Sequence, residues 1–273
     1  MSASQENPMS TPPTAEQEYY ANTARHYDAA YAADSLLTDI PFYVELAKAQ
    51  HGTVLEVACG TGRVLLPTAQ AGVTIDGLDL SSQFLELLRG KLSHEPAEVQ
   101  ARVSLFEGDM RRFSTGKTYD LLTIPFRPLQ HLYLIEDQLA AFRCFHAHLK
   151  PGGSLAFNVF YPNYARLQEV GVEKLELEWK DPNDPSITVR RSFLRRSVDR
   201  INQFSDGEFI FRSYRGSQLV LEERSSLRMG YYTYPQIRLL LETSGFQVRE
   251  EYGSFEKEPI SVCKEMIFVA VKR

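Results

Sequence analysis

Val54-Leu-Glu-Val-Ala-Cys-Gly-Thr-Gly-Arg63 is the stretch on which the reading of this chain turns. A short apolar run ends in a glycine-rich turn and continues as Val64-Leu-Leu-Pro-Thr-Ala-Gln70, which predicts a buried strand, a tight turn and a helix. Gly60 and Gly62 carry no side chain, so the backbone can approach a ligand closely, and free N–H groups of the following helix attract negative charge. The spacing is Ala-x-Gly-x-Gly, not the Gly-x-Gly-x-x-Gly of a dinucleotide site, and it lacks the Gly-Lys-Ser/Thr of a P-loop. A tight turn in any doubly wound sheet has the same look, so the residues that follow decide.

Downstream, Val73 to Asp79 reads as a second strand. Asp79 stands 19 residues beyond Gly60, the spacing at which a carboxylate reaches a ribose diol in nucleotide-binding folds. Its two oxygens can each accept from one vicinal hydroxyl; the alternative is a cap on the helix opened by Ser81-Ser82. Phe84, Leu85, Leu87 and Leu88 mark that helix. Val103 to Phe106 is a third strand, closed by Glu107-Gly-Asp109-Met110, where an acid beside an apolar side chain suits a purine. Tyr119 to Ile124 is the fourth, opening into the loop Pro125-Phe-Arg-Pro-Leu-Gln-His-Leu132. A helix over Asp137–Leu149, a stop at Lys150-Pro-Gly-Gly153 and a strand over Ser154–Phe160 follow. Alternation of strand and helix predicts an α/β fold: a doubly wound, mostly parallel sheet that holds ligands over the carboxyl ends of its strands.

Upstream, residues 1–14 are polar and proline-rich and read as a disordered tail. Helical character begins near Ala15. Tyr27 and Tyr31 lie one helical turn apart, either as packed aromatics or as a lid over a ligand at the strand ends. A second helix, near Pro41–Ala49, leads into the first strand.

The last third changes character. From Ser186 to Arg228 extended, alternating segments succeed one another, with Asp206-Gly207 and Arg215-Gly216 as turn signals. This predicts an antiparallel sheet inserted after the fifth strand, lying over the site or pairing with a second subunit. The stretch holds nine Arg against five acids; alternation assigns most of them to the wet face of a half-exposed sheet, with a phosphate or RNA-backbone site as the minority reading. A helix over Pro235–Ser244 and strands at Phe246–Tyr252 and Glu265–Val271 complete the core sheet.

Composition narrows the classes. The 273 residues are 43% hydrophobic and 24% charged, ordinary for a globular protein, and the net charge of -5 argues against a dedicated nucleic-acid binder. No apolar run approaches the ~20 residues of a membrane span and no signal peptide is evident. Three isolated cysteines suit a reducing cytoplasm.

Glu-x-Ala-Cys-Gly-Thr-Gly, then Gly-Leu-Asp79-Leu-Ser, Gly-Asp109-Met and Leu-Lys-Pro-Gly-Gly153 resemble the successive motifs of class I S-adenosylmethionine-dependent methyltransferases, over roughly residues 20–160. The resemblance implies a Rossmann-like, seven-stranded sheet. It divides the chain into a cofactor-binding domain (15–164 with 229–273) and an inserted β subdomain (165–228). It further implies that Glu56, Ala58, Gly60, Gly62 and Arg63 lie at the methionine end of S-adenosylmethionine. Asp79 and Leu80 would lie at the ribose, Asp109 and Met110 at the adenine, and Pro125 beside them. Similar enzymes carry Tyr-Asp-x-x-Tyr near the start, so Tyr27 and Tyr31 fit as lid residues whose faces favour a sulfonium cation. Many relatives have Gly where this chain has Ala58.

Methyl transfer is an in-line displacement at an activated carbon, so alignment supplies much of the rate and a base is needed only for a protonated nucleophile. His131 is the candidate base and Tyr27 the second catalytic candidate. Phe126, Arg127, His131 and Tyr161 are candidate acceptor contacts, with Arg127 either binding an acidic acceptor or pairing with a local carboxylate. His146 and His148 sit two apart on a helix, and no spacing suggests a metal. The expected activity is methylation of nitrogen or oxygen on a small organic acceptor, of amino-sugar or natural-product type. The expected partners are that acceptor and a second copy through the inserted sheet, with no nucleic acid and no membrane. The alternatives are an RNA methyltransferase, a non-catalytic cofactor binder and a nicotinamide-dependent reductase.

Overall fold

The computed structural model describes residues 26–33, 38–262 and 265–273. The expected tail at 1–14 and the helix onset near Ala15 lie outside the described residues. Residues 26–33 are helical (α1) and precede α2 (Asp39–Ala49). There follow β1 (Val54–Val57), α3 (Leu65–Gln70), β2 (Ile75–Asp79), α4 (Ser82–Leu92), α5 (Ala97–Gln100), β3 (Val103–Glu107) and β4 (Tyr119–Ile124). After a 3-10 turn at Pro128–His131 come α6 (Ile135–His148), β5 (Leu149–Phe160) and α7 (Tyr164–Leu167). An excursion of β6 (Glu173–Lys180), β7 (Ile187–Asp199), β8 (Phe204–Arg215) and β9 (Gln218–Gly230) leads back to α8 (Tyr234–Thr243), β10 (Phe246–Tyr252) and β11 (Glu265–Lys272). None of the described helices is long and apolar enough to cross a membrane.

The main sheet has seven strands in the order β10-β11-β5-β4-β1-β2-β3, parallel except for β11, which runs antiparallel to both β5 and β10. This is the expected α/β architecture. The chain moves from β1 to β3 on one side and then returns to β4 and β5 on the other, so the crevice between the carboxyl ends of β1 and β4 is the switch point where such sheets take ligands. Every residue of β1 and of β2 is buried, as a strand covered on both faces requires. Alternate residues of β1 enter two cores. Leu55 and Val57 pack with Phe142 and Phe145 of α6 and Ile237 and Leu241 of α8, whereas Val54 packs with Phe42 and Tyr43 of α2, Leu65 of α3 and Leu85 of α4.

Boundaries shift by a residue or two at several ends, α6 running Ile135–His148 and α8 Tyr234–Thr243. The second strand begins at Ile75 rather than Val73, and β5 begins at Leu149, taking in Lys150-Pro-Gly-Gly153 instead of starting after it.

The inserted sheet has four antiparallel strands in the order β6-β7-β8-β9. Arg215-Gly216 makes the β8–β9 turn, with Gly216 at φ 60°. Asp206-Gly207 is not a turn: both residues lie within β8, and a Cβ on Gly207 would stand 2.5 Å from Phe193 Cζ. Glycine is there to admit the neighbouring ring. The β7–β8 turn falls instead at 200–203, where Asp199 Oδ1 accepts from the amides of Ile201 and Asn202 at 2.9 Å. Strand β6, Glu-Lys-Leu-Glu-Leu-Glu-Trp-Lys, was not anticipated, although Leu175, Leu177 and Trp179 alternate with charged residues as a strand requires; it is an edge strand. The sheet joins the rest through α1: Ala30 packs with Trp179, Ile187, Val189 and Phe211.

Gly77, mid-β2, decides how closely α3 can lie on the sheet. A Cβ there would stand 2.6 Å from Leu65 Cδ1 and 2.9 Å from Cys59 Sγ, beneath the glycine-rich turn. Gly77→Ala should cost about 1–3 kcal/mol by overpacking; an unchanged urea midpoint would show that α3 moves aside freely.

Candidate functional site

A cleft of about 1630 Å³ opens over the carboxyl ends of the parallel strands and is bounded by α1 and the inserted sheet. Tyr27, Tyr31, Glu56, Ala58, Gly60, Arg63, Asp79, Leu80, Asp109, Met110, Pro125, Phe126, Arg127, His131 and Tyr161 all line it. Gly62, alone of the expected set, does not appear in the lining. A Cβ on it would stand 2.3 Å from Leu88 Cδ1 and its φ is 86°, so its glycine serves the packing of α4 and the turn.

The turn after β1 is a run of left-handed residues: Ala58 at φ 56°, Gly60 at 56° and Gly62 at 86°. The Ala58 methyl therefore costs on the order of 1 kcal/mol, which glycine would avoid. Asp79, buried at the end of β2, holds this turn. Its Oδ2 accepts from Gly60 N at 2.7 Å and its Oδ1 from Ser81 N at 2.8 Å. The cap of α4 is Ser81, whose side chain accepts from Phe84 N at 3.3 Å, so Asp79 is not spent as the helix cap. Burial raises the Asp79 pKa, and the hydrogen bonds from Ser81 and Gly60 oppose that rise.

Glu56 is 2% exposed, and its Oε2 is buried without a hydrogen-bond partner. Burial pushes its pKa up to about 8; Arg63 opposes the shift, and Asp39 and Asp79 add to it. A partnerless buried carboxyl oxygen facing a cleft is costly, and it fits a ligand ammonium such as that of S-adenosylmethionine. Arg63, expected near the ligand carboxylate, is a bidentate partner of buried Asp39, with both N···O distances 2.6 Å, and lies 4.8 Å over the Phe126 ring. Asp109 accepts from the Arg111 side chain at 2.6 and 2.9 Å; burial favours its neutral form, but Arg111 outweighs this and holds the carboxyl below its usual range.

Helix α1 covers this half. The Tyr27 ring stands 4.3 Å from Tyr31 and 5.1 Å from Phe84, and Tyr31 meets Phe126 edge-on at 4.6 Å. Asp28 accepts from Thr61 Oγ1 at 2.6 Å and pairs with Lys91 at 2.6 Å, fastening the helix to the glycine-rich turn. On its other side His26 bonds Glu223 at 3.0 Å and stacks on Phe211 at 4.6 Å.

Across the cleft, Phe126 and Arg127 are both left-handed, at φ 66° and 71°. Non-glycine residues there carry roughly 1–3 kcal/mol of strain each and persist only where neighbours over-determine them. Asn158 Oδ1 accepts from Phe126 N at 2.9 Å, and Arg127 pairs with Glu265, the local-carboxylate reading of that residue. Asn158 Nδ2 also donates to Glu265 at 3.1 Å. Gln130, 0% exposed, ties the loop to both sheets: Nε2 donates to Gly230 O at 2.9 Å, and Oε1 accepts from Phe160 N at 3.1 Å. These contacts set His131 at the cleft wall, where burial pushes its pKa down to about 4, so the imidazole is neutral at pH 7.

Sequence reading missed Asp39, Asn158, Gln130 and Glu265, because each acts by buried hydrogen bonds to elements far away in the chain. It also missed part of the inserted sheet's role. Arg190, Arg212, Arg215 and Arg224 pair with Glu178, Glu173, Asp184 and Glu222, whereas Arg191, Arg195, Arg196 and Arg228 face the cleft. Among the described residues, no group of three or more His, Cys, Asp or Glu could hold a metal.

Comparison with known proteins bears on the same region. Residues 54–153 match the model of a methyltransferase domain. Over 221 residues the chain is 25% identical to the cypemycin N-terminal methyltransferase of a Streptomyces species, covering 81% of this chain and 83% of that one. Over 115 residues it is 34% identical to the dTDP-3-amino-3,6-dideoxy-alpha-D-glucopyranose N,N-dimethyltransferase of Streptomyces fradiae, covering 42% of each. Among solved structures, the CcbJ methyltransferase from Streptomyces caelestis superposes with a TM-score of 0.79 at 22% identity, over 92% of this chain and 96% of that one. Residues 54–153 are thus a methyltransferase domain, and the chain is an S-adenosylmethionine-dependent methyltransferase.

If Glu56 pairs with the ammonium of the donor, binding depends on pH. Its carboxyl is mostly protonated at pH 7 when the cleft is free, with a pKa of about 8, and pairing with a ligand ammonium requires the ionised form. Binding of S-adenosylhomocysteine should therefore release a proton, and affinity should rise from pH 6 towards pH 8, by up to about tenfold per unit. Calorimetry in buffers of different ionisation heat reads the release directly. A flat profile in the wild type, or one that Glu56→Gln leaves unaltered, would remove Glu56 from the donor site.

Proposed function

We propose that this chain methylates an amine nitrogen on a small organic acceptor of the amino-sugar or natural-product kind. When bound, S-adenosylmethionine supplies a methyl group already activated on a sulfonium. Glu56, Asp79, the Ala58–Gly62 turn and the Tyr27–Tyr31 pair would hold it. The Pro125–His131 loop and the cleft face of the inserted sheet would hold the acceptor.

The observation that carries nitrogen over oxygen is the environment of His131. An imidazole with its pKa near 4 is too weak a base to ionise an aliphatic alcohol. It can still accept a hydrogen bond from an amine, whose small neutral fraction at neutral pH is already nucleophilic, whereas an alcohol must give up its proton during transfer. Among the similar proteins, one is named an N-terminal methyltransferase and another an N,N-dimethyltransferase of an amino-sugar nucleotide, which supports nitrogen, while two others are named O-methyltransferases. An RNA acceptor would need unpaired surface cations, whereas the outward arginines of the inserted sheet are ion-paired.

Cys59 and Cys144 are free thiols and suit a reducing cytoplasm. Pairing of two copies through the inserted sheet belongs to the same proposal, because strand β9 exposes Leu219, Val220 and Leu221 at the sheet edge. Light scattering should report a dimer, and Val220→Lys should shift it to monomer. A monomeric wild type would refute the pairing.

Labelled methyl transfer should occur to primary or secondary amines and not to the matched alcohols. His131→Ala should lower turnover by about tenfold, the loss expected of one hydrogen bond to the acceptor, and leave affinity for S-adenosylhomocysteine within twofold. Wild-type turnover in that variant would reduce His131 to a structural role, and transfer to alcohols alone would overturn the nitrogen assignment.

A further inference from the structure

Four arginines of the inserted sheet face the cleft, and three are neutralised on the spot. Arg191 pairs with Glu176 at 3.1 Å, Arg228 with Asp206 at 2.6 Å, and Arg196 with Glu208. Arg195 differs. Among the described residues it has no ion-pair partner: its Nη1 donates to the Arg166 carbonyl oxygen at 2.6 Å, and its Nε is buried without any acceptor. Two carboxylates act on it from nearby, and each is held by another cation: Glu169 by Lys174 at 2.5 Å and Glu176 by Arg191 at 3.1 Å. Burial depresses the Arg195 pKa, Glu169 opposes this, and the adjacent Arg166 guanidinium adds to the fall. The two cations thus stand together on one wall without a counter-charge of their own. Arg166 belongs to α7, which follows Phe160-Tyr161 directly, so this wall is on the β5, acceptor side of the cleft.

A half-buried guanidinium with an unused N–H is an uncompensated cost in the free protein. The fork of a guanidinium matches a carboxylate or a phosphate, and a second guanidinium beside it raises the preference for an anion. We propose that Arg195, with Arg166 beside it, anchors an anionic group (carboxylate or phosphate) carried by the acceptor. The proposal rests on the methyltransferase reading, because it assigns the β5 side of the cleft to the acceptor. It adds that the amine to be methylated belongs to a molecule bearing negative charge, which a neutral amine of the same size lacks.

The test uses the full chain saturated with S-adenosylhomocysteine, titrated calorimetrically at low salt with inorganic pyrophosphate and, separately, with malonate. The expected result is saturable binding of at least one anion, weakened about tenfold or more in Arg195→Gln, partly restored in Arg195→Lys, with affinity for S-adenosylhomocysteine unchanged. Preference for pyrophosphate identifies the group as phosphate, and preference for malonate identifies it as carboxylate. Equal anion affinity in wild type and Arg195→Gln, or no saturable binding of either anion by a chain that binds S-adenosylhomocysteine, overturns the proposal. A chain that fails to bind S-adenosylhomocysteine refutes the donor site instead, and the anion titrations are then read without it. Should Arg195→Gln not fold, the exposed Arg166→Gln carries the same reading, with a severalfold loss expected.

Discussion

The cleft depends on one carboxylate. Asp79 sits where β2 ends and takes a hydrogen bond from the amide of Gly60 and another from that of Ser81, so a single side chain sets both the glycine-rich turn and the entry to α4. Charge-assisted bonds of this kind are among the stronger ones available. Burial works against the charged state that makes them strong, and the two amides oppose it without cancelling it. The turn above is consequently held in a left-handed path that includes Ala58, a residue that does not favour it.

The opposite wall is built by the same logic with different parts. Phe126 and Arg127 occupy backbone conformations that neither would choose alone, and the buried set of Asn158, Glu265 and Gln130 holds them there. Two strained turns, one on each side of the switch point, therefore face each other across the cleft. Each is fixed by polar groups from distant elements. Rigidity of this kind suits a displacement in which alignment supplies much of the rate.

What could be read from the amino acids alone followed the range of the interactions. Strand β1, the Asp79 position, β4 and the closing pair β10–β11 are local patterns, apolar runs bounded by glycine or by charge, and they stand where periodicity put them. Asp206-Gly207 misled because glycine was read as a turn residue when Phe193 on the neighbouring strand required it. Strand β6 was legible, since Leu175, Leu177 and Trp179 alternate with charged residues, and was passed over all the same. Cleft-facing Arg191 and Arg195 look the same in sequence as outward Arg190, and only the pairing register of β7 separates them. Asn158 and Gln130 were illegible for a plainer reason: nothing local distinguishes a polar side chain that bonds across the fold from one that meets water.

Trp179 is the chain's one tryptophan, and it lies at the seam between α1 and the inserted sheet, 6.1 Å from the His26 ring and 6.4 Å from Phe211. The molecule thus contains its own optical probe. Any movement of α1 away from the inserted sheet wets the indole and removes a neighbouring imidazole, so intrinsic emission follows the docking of the tyrosine-bearing helix without a label.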